Sequence, residues 1–285
     1  MRSLVLKSPA KINLFLKVLN KRPDGYHNIV TLFERINLFD DISFKANSSG
    51  RIKITCNHPQ VPTGPKNLVY KIAQLLKTEH KLNQGVDIHI NKRIPVAAGL
   101  AGGSSNAATA LLGLNKIWNL RLPKAKLVHY AGRIGSDVAF FLYDCPWALG
   151  TGRGEKIREV SLASKLWHIL VVPKVKLYAS EVYGALKLGL TKRNDDVNIL
   201  IHHLRKNDFE ALESRIQNDL EDAVSGLYPG ILTLKKNLNS LNTHGVMVSG
   251  SGPAVFGLIH SERAAQQIRS KLSRRYSQVF VVRTF

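Results

Sequence analysis

A glycine-rich segment, GLAGGSS, occupies positions 99–105, directly before the alanine- and leucine-rich segment NAATALLGL at 106–114. Small residues let the backbone approach a ligand closely, and the first N–H groups of a helix have no partner within the helix. Together with the helix dipole, these groups form an anion site suited to a di- or triphosphate. The serine hydroxyls add donors, or help to hold a Mg²⁺ ion that bridges phosphates. A flexible connector with capping serines is an equally good interpretation, because glycine-rich loops are common.

A second small-residue segment, SGSGP at 249–253, lies between two apolar stretches with strand character. It is either a second backbone clamp on an anionic substrate or a tight hairpin. Taken alone, the pattern favours the hairpin.

Two charged residues are candidates for reactive groups, Lys11 and Asp137. Phosphoryl transfer needs positive charge on the moving phosphate and a group that orients or deprotonates the attacking hydroxyl. A lysine on a strand and an aspartate in a loop can fill these roles, although each is by itself more typical of a surface charge. Tyr26 and His27, just after the turn at 23–25, could stack on and hydrogen-bond a base, or pack locally beside the turn.

Several common site types are absent from the sequence. It contains no GxxxxGK[ST], GxGxxG, HExxH or GxSxG motif, and its ten histidines are scattered, so we expect no metal site built from protein ligands. The two cysteines, Cys56 and Cys145, form neither a CxxC pair nor a disulfide framework, which favours free thiols in a reducing compartment. No apolar run approaches the roughly 20 residues that span a bilayer, and the N-terminus lacks a signal-peptide pattern. We therefore expect a cytoplasmic protein with no membrane partner.

The net charge is strongly positive, since 41 Lys and Arg residues face 20 Asp and Glu, giving +21. Such a balance favours anionic partners, either nucleic acid or phosphorylated small molecules. The cations are distributed along the whole chain in short clusters, at 21–22, 92–93 and 274–275, without a long basic arm. A dedicated nucleic-acid function is therefore not expected.

Hydrophobic periodicity predicts the elements that position these residues. In the first half we expect strands at 12–18, 29–44 and 85–95, and helices at 67–79, from about 104 to 120 and from 123 onward, with a loop at 135–138. Alternation in the first strand puts Lys11 and Asn13 on one face, and Ser104, Ser105 and Asn106 have the residue types of N-caps. In the second half we expect strands at 167–172, 245–249, 253–259 and 278–283, and helices at 179–188, 195–205, 208–223, 229–241 and 261–273.

The length of 285 residues and a polar stretch at 155–166 suggest two domains, 1–158 and 159–285. Strands separated by helices indicate an α+β fold, with one sheet covered by helices on a face.

Three segments, SPAKINLF at 8–15, PVAAGLAGGSSNAATAL at 95–111 and SGSGPAVF at 249–256, together resemble in order and spacing the three motifs of the GHMP kinase superfamily. Two further segments, RPDGYHNIVTLFERINLFDDI at 22–42 and IGSDVAFFL at 134–142, resemble the branch that acts on a cytidine diphosphate conjugate. The resemblance implies ATP-dependent phosphorylation of a hydroxyl group, with ATP and Mg²⁺ as cofactors. It also implies a two-domain fold, an N-terminal kinase domain with a βαβ-type nucleotide loop and a C-terminal ferredoxin-like α/β sandwich.

The resemblance also implies roles for individual residues. Asp137 would be the catalytic base and Lys11 its charged partner, and which of the two matters more for proton removal stays open. Substrate-binding residues would be Asn13, Tyr26, His27, Gly250 and Gly252. Asn67 and Leu68 would lie near the adenine. The ATP phosphates would be wrapped by Pro95, Val96, Ala97, Ala98, Gly99, Leu100, Ala101, Gly102, Gly103, Ser104 and Ser105.

The sequence departs from the family pattern at Ala97 and Ala101, where the family usually carries glycine. Alanine disfavours a positive φ, so a slightly remodelled loop is expected if either position needs that conformation. Alanine is still small enough for close backbone approach, and we expect activity to be retained.

Overall fold

A computed structural model of the chain describes residues 3–187 and 196–285. Its strands are β1 (Ser3–Lys21), β2 (His27–Asn47), β3 (Ile52–Cys56), β4 (Gly85–Asn91), β5 (Trp147–Thr151), β6 (Lys156–Glu159), β7 (Trp167–Val171), β8 (Gln217–Asn218), β9 (His244–Val248), β10 (Val255–Ile259) and β11 (Val279–Arg283). Its α-helices are α1 (Leu68–Glu79), α2 (Gly102–Ile117), α3 (Lys124–Ile134), α4 (Ala179–Ala185), α5 (Val197–Lys206), α6 (Phe209–Arg215), α7 (Glu221–Leu227), α8 (Gly230–Asn239) and α9 (Glu262–Leu272). A 3₁₀ helix covers Ser136–Leu142.

The chain divides into two compact units that are discontinuous in sequence. In the described residues, unit 1 comprises 3–10, 38–96 and 101–144, and unit 2 comprises 11–37, 97–100, 145–187 and 196–285. Strands β1 and β2 each contribute residues to both units. The division of the chain into domains at 158/159 stays a prediction.

Unit 1 contains a sheet covered by helices. Strand β4 pairs in parallel with β3 and antiparallel with residues 41–47 of β2. Helices α1, α2 and α3 pack on one another, and α2 is buried along most of its length. Gly113 on α2 lets the helix approach the sheet, because a Cβ there would lie 2.6 Å from the ring of Phe44. The helix that carries the glycine-rich motif is therefore held firmly on its sheet.

Unit 2 contains a four-stranded sheet in the order β11-β7-β10-β9, with antiparallel neighbours. Helix α8 packs on β9 and β10, and α9 packs on β7, β10 and β11. The core under these helices is formed by fully buried apolar side chains, among them Val171, Val248 and Val255. The predicted α+β fold with helices on a sheet face is confirmed.

Three local predictions are wrong. Of the residues expected as a loop at 135–138, residues 136–138 begin the 3₁₀ helix, because the short apolar run VAFFL becomes buried without helical periodicity. The helix expected at 208–223 is divided into α6 and α7, because residues 217–218 pair with β1 instead. Strand β4 ends at Asn91 rather than at residue 95. The end of the helix expected at 179–188 and the start of that at 195–205 lie outside the described residues.

Within the part of the chain that the structure describes, no helix has the length and apolar character needed to cross a bilayer.

Candidate active site

Lys11 and Asn13 lie on one face of β1, as the strand alternation predicts. The Lys11 ammonium donates to Asn13 Oδ1 at 2.6 Å, and Asn13 Nδ2 donates to Thr31 Oγ1 at 2.7 Å. Thr31 in turn donates to the carbonyl of Phe15, so the chain of hydrogen bonds ends on the backbone. Both Lys11 and Asn13 are buried. A buried ammonium held in this way presents a directed positive charge rather than a mobile surface charge.

The segment 249–253 connects β9 to β10, which confirms the hairpin interpretation. It also lies against the first half of the glycine-rich loop, since Ser249 Oγ donates to the carbonyl of Gly99 at 3.2 Å and Ala254 N donates to that of Ala98 at 3.1 Å. Gly99 has φ +77°, and a Cβ on it would lie 2.1 Å from the Ser249 carbonyl oxygen. Only glycine fits this contact between two backbones.

Gly250 brings the hairpin to the Lys11 side chain. A Cβ on Gly250 would lie 3.0 Å from Asn13 Oδ1 and 3.3 Å from Lys11 Nζ. Lys11 N also donates to the carbonyl of Leu100 at 3.2 Å. Parts of all three sequence motifs therefore meet around one buried lysine in unit 2.

Asn218, on β8, is a residue of this region that sequence reasoning missed. Its Nδ2 donates to the carbonyls of Val248 and Gly250, at 2.9 and 2.7 Å, and these two hydrogen bonds fix the hairpin backbone to β8. Gln217, Asn218 and Asp219 are all buried. Three consecutive polar residues within an otherwise amphipathic pattern are the signal that could have indicated a break in the predicted helix.

The N-terminus of α2 lies in unit 1. The first helical hydrogen bond there runs from Ser105 N to the carbonyl of Ala101 at 2.9 Å. The N–H groups of residues 102–104 therefore have no acceptor within the helix. Gly103 is exposed, with no atom within 4 Å of the position of a Cβ. This open helix N-terminus has the features of a phosphate site.

The two serines of the motif differ in their surroundings. Ser105 is completely buried, and its Oγ lies 2.8 Å from Ser8 Oγ. Ser104 is only half-buried. The prediction that residues 104–106 cap the helix is wrong, because α2 already begins after Ala101, which is its N-cap and makes no side-chain cap bond.

Ala97 and Ala101 both adopt the left-handed conformation, with φ of 54° and 52°. The loop thus keeps a conformation that favours glycine, at a cost of roughly 1–2 kcal/mol per non-glycine residue.

We expect Ala101→Gly to raise the free energy of unfolding by about 0.5–1 kcal/mol, because relief of this strain exceeds the entropy that glycine adds to the unfolded chain. Thermal and urea denaturation measure the change. Ala98→Gly is the control, since Ala98 is buried without a positive φ and should lose stability. A lower melting temperature for Ala101→Gly would contradict the strain.

A buried polar network lies behind the first turn of α2. The Lys92 ammonium pairs with the Asp40 carboxylate, and both side chains are almost fully buried. Burial lowers the pKa of Lys92, although the ion pair with Asp40 opposes this effect. Asn106 also donates to Asp40, at 2.8 Å. Sequence reasoning missed Asp40 and Lys92; the only signal was an aspartate inside an apolar strand pattern.

Asp137 lies in the first turn of the 3₁₀ helix and is half-buried. This helix packs against α2 and α3 within unit 1. Asp137 therefore stands on the same unit as the N-terminus of α2, whereas Lys11 belongs to unit 2. The catalytic roles of both residues stay predictions.

Tyr26 and His27 follow the turn at 23–25. The Tyr26 ring is 53% exposed, with the Arg153 guanidinium carbon 4.7 Å from its centre. The His27 ring stacks on that of Tyr183, with centroids 5.2 Å apart and planes inclined by 22°. Burial, with a smaller contribution from Lys21, lowers the pKa of His27 below its ordinary 6.5. The imidazole is therefore neutral at pH 7, with one donor and one acceptor nitrogen.

Asn67 and Gly252 have structural contacts of their own. Asn67 is the N-cap of α1, accepting from Val69 N at 2.8 Å. Gly252 has φ +65°, and a Cβ there would lie 2.9 Å from a methyl group of Val248. The ligand roles assigned to these residues and to Leu68 are not tested by these contacts.

Two features stand out: an open helix N-terminus that follows a glycine-rich loop, and a buried lysine beside a glycine hairpin. They define a phosphate-handling enzyme. The family description "GHMP kinases N terminal domain" matches residues 67–145, and "GHMP kinases C terminal" matches residues 200–278. The chain belongs to the GHMP kinase family and is an ATP-dependent small-molecule kinase. The predicted two-domain GHMP kinase fold is confirmed.

Individual relatives make the similarity more specific. A 4-diphosphocytidyl-2-C-methyl-D-erythritol kinase of Bacillus cytotoxicus is 41% identical over 280 residues, which is 98% of this chain and 96% of the relative. A crystal structure of 4-(cytidine 5'-diphospho)-2C-methyl-D-erythritol kinase superposes with a TM-score of 0.84 at 30% identity, covering 99% of this chain and 100% of the other. A homoserine kinase from Cytophaga hutchinsonii shares the fold, with a TM-score of 0.76 at 20% identity over 99% of this chain and 94% of the other.

Proposed function

We propose that this chain transfers the γ-phosphoryl group of ATP to the 2-hydroxyl of 4-diphosphocytidyl-2-C-methyl-D-erythritol, giving the 2-phosphate and ADP in non-mevalonate isoprenoid precursor biosynthesis. The observation that carries the proposal is that Lys11 donates to the Leu100 carbonyl and lies beside Gly250 in unit 2, which brings parts of the three kinase motifs together. The relative that is 41% identical supports the choice of substrate.

The N-terminus of α2 would hold the ATP phosphates. The N–H groups of residues 102–104 lack helical acceptors, and Gly103 leaves open space beside them. Asn67 and Leu68 are proposed to lie near the adenine.

Mg²⁺ would be held mainly through phosphate oxygens. Among the described residues, no group of three His, Cys, Asp or Glu side chains could hold a metal ion. Mg²⁺ usually keeps several waters and takes one or two protein ligands besides nucleotide phosphates, and a serine hydroxyl of the loop can supply such a ligand. Ser104 is the better candidate of the two serines, because the Ser105 hydroxyl is buried against Ser8. When bound, Mg²⁺ would supply positive charge that neutralises the charge of the phosphates.

In the reaction, Asp137 would accept the proton of the 2-hydroxyl as that oxygen bonds to the γ-phosphorus. The bond from the γ-phosphorus to the bridging oxygen breaks, and ADP retains that oxygen. Lys11 would stabilise the negative charge of the transferred group, because its ammonium is buried and held by Asn13.

The cytidine end of the substrate would lie on Tyr26 and His27. Tyr26 offers an exposed ring for stacking, and neutral His27 offers one donor and one acceptor for the edge of a cytosine. Asn13, Gly250 and Gly252 would contact the substrate as well.

The test is ADP release from MgATP with and without 4-diphosphocytidyl-2-C-methyl-D-erythritol, with homoserine and mevalonate as control acceptors. We expect release only with the cytidine substrate. Release with a control acceptor alone would assign a different GHMP kinase activity. The alternative is a nucleic-acid-binding protein, which the net charge of +21 would suit. Salt-sensitive binding to DNA or RNA, without turnover or ATP binding, would favour that alternative.

The lowered pKa of His27 predicts a pH dependence of substrate binding. We expect the KM for the cytidine substrate to be constant near pH 7 and to rise as the pH falls below 6.5 through this pKa, because protonation removes the acceptor nitrogen. The KM for ATP should not follow the same curve. In His27→Asn, the KM for the cytidine substrate should be high at all pH values, and an unchanged pH profile in this variant would refute the assignment.

The same shift has a consequence for stability. The unfolded state binds the proton at a higher pH than the folded state does, so His27 makes the folded protein less stable as the pH falls from 6.5 through the lowered pKa.

A further inference from the structure

The Asp40 carboxylate lies in the second half of β2, which ends at Asn47, and has no exposed surface. Its Oδ1 accepts from the backbone N–H groups of Arg93 and Ile94, at 2.7 and 2.8 Å. Its Oδ2 accepts from Lys92 Nζ and from Asn106 Nδ2, the latter at 2.8 Å. Four donors thus converge on one carboxylate, and all of them belong to unit 1.

Two of these donors contact the beginning of α2 directly. Asn106 is part of α2, and its Nδ2 also lies 2.9 Å from Ser8 Oγ, which bonds to Ser105. The Lys92 ammonium lies beside Gly102, because a Cβ on Gly102 would be 2.7 Å from Nζ. The Asp40 carboxylate therefore holds the first turn of α2 through two separate contacts.

Stability alone does not explain this arrangement. Burying an ion pair costs desolvation energy, and well-packed apolar side chains of similar volume are often as stabilising. A buried pair does, however, hold its partners in one geometry. Here it also keeps a positive charge beside a helix N-terminus, where an anion is favoured.

We propose that Asp40 is a positioning residue for the nucleotide. Through Lys92 and Asn106, it holds the N–H groups of residues 102–104 in the geometry that binds the ATP phosphates. The inference rests on the proposed ATP site at the N-terminus of α2. It adds that ATP binding requires Asp40, although Asp40 does not itself contact ATP.

The test is Asp40→Asn, with ATP affinity measured by calorimetry and both KM values measured well below the melting temperature. The substitution replaces Oδ2 with an NH₂ group, which then faces the donors of Lys92 and Asn106. We expect the Kd for ATP to rise about tenfold, since small displacements of binding groups have effects of this order or larger. The KM for the cytidine substrate should stay unchanged.

Glu34→Gln is the matched control. Glu34 lies on the same strand, is equally buried, and bonds to His168 at 2.9 Å and to Thr284 at 2.6 Å. We expect this variant to lose stability without a change in either KM. If Asp40→Asn likewise lost stability with the Kd for ATP and both KM values unchanged, the role of Asp40 would be purely structural. That result would overturn the proposal.

Asn106→Ala provides a second variant in case Asp40→Asn does not fold. It removes the hydrogen bond from Asn106 to Asp40 and leaves the ion pair of Asp40 with Lys92 intact. A severalfold rise in the Kd for ATP is expected, and an unchanged Kd would overturn the proposal. If the unmodified protein itself failed to bind ATP, the proposed function would fall, which the calorimetry distinguishes from a failure of the Asp40 role alone.

Discussion

Asp137→Asn is expected to lower kcat by about 10³-fold, the middle of the range for loss of a general base. The amide has the size and shape of the carboxylate, so the 3₁₀ helix and its packing against α2 should persist. It cannot accept the proton of the attacking hydroxyl. Binding of ATP should be largely retained, because the N–H groups of residues 102–104 are unaffected.

Single-turnover and steady-state ADP release measure this effect, and calorimetry measures ATP affinity. Asp144→Asn is the control, since this exposed aspartate follows the same 3₁₀ helix and should give wild-type kinetics. A kcat for Asp137→Asn near that of the unmodified enzyme would refute the base assignment. In that case Lys11→Met, which removes the positive charge of the other candidate residue, becomes the decisive variant for proton removal.

The second large effect concerns Gly99. We expect Gly99→Ala to lower the free energy of unfolding by about 3 kcal/mol, because an alanine there combines a left-handed backbone with overpacking. Its Cβ would lie 2.1 Å from the Ser249 carbonyl oxygen, and that atom belongs to the backbone and cannot rotate away. Turnover should fall as well, since the loop and the hairpin that surround Lys11 must separate.

Urea denaturation and ADP release measure the two consequences. Gly132→Ala is the matched control, because Gly132 lies within α3 with nothing within 4 Å of its Cβ position. Alanine should raise stability there by up to about 1 kcal/mol. Wild-type stability of Gly99→Ala would show that the loop and the hairpin are not in contact.

The sequence by itself determined the elements whose patterns are local. Alternation along β1 predicted that Lys11 and Asn13 share a face, and the hydrogen bond between them confirms it. Helix α1 and strands β7, β10 and β11 lie within a few residues of their predicted ranges, since α1 has apolar residues at helical spacing and each strand is a short apolar run. The motif resemblance predicted the GHMP kinase fold and activity, which the comparisons confirm.

Tertiary structure decided the features that depend on contacts between distant segments. Residues 217–218 have helical surroundings in the sequence, yet they form a strand because β1 offers them hydrogen-bond partners. The Ser105 hydroxyl is directed into the interior because Ser8 lies there. Likewise, Asp40, Lys92 and Asn106 meet only when β2, the end of β4 and α2 pack together. Local periodicity records which face of a segment is buried, and the partner that each buried polar group finds there is set by the fold as a whole.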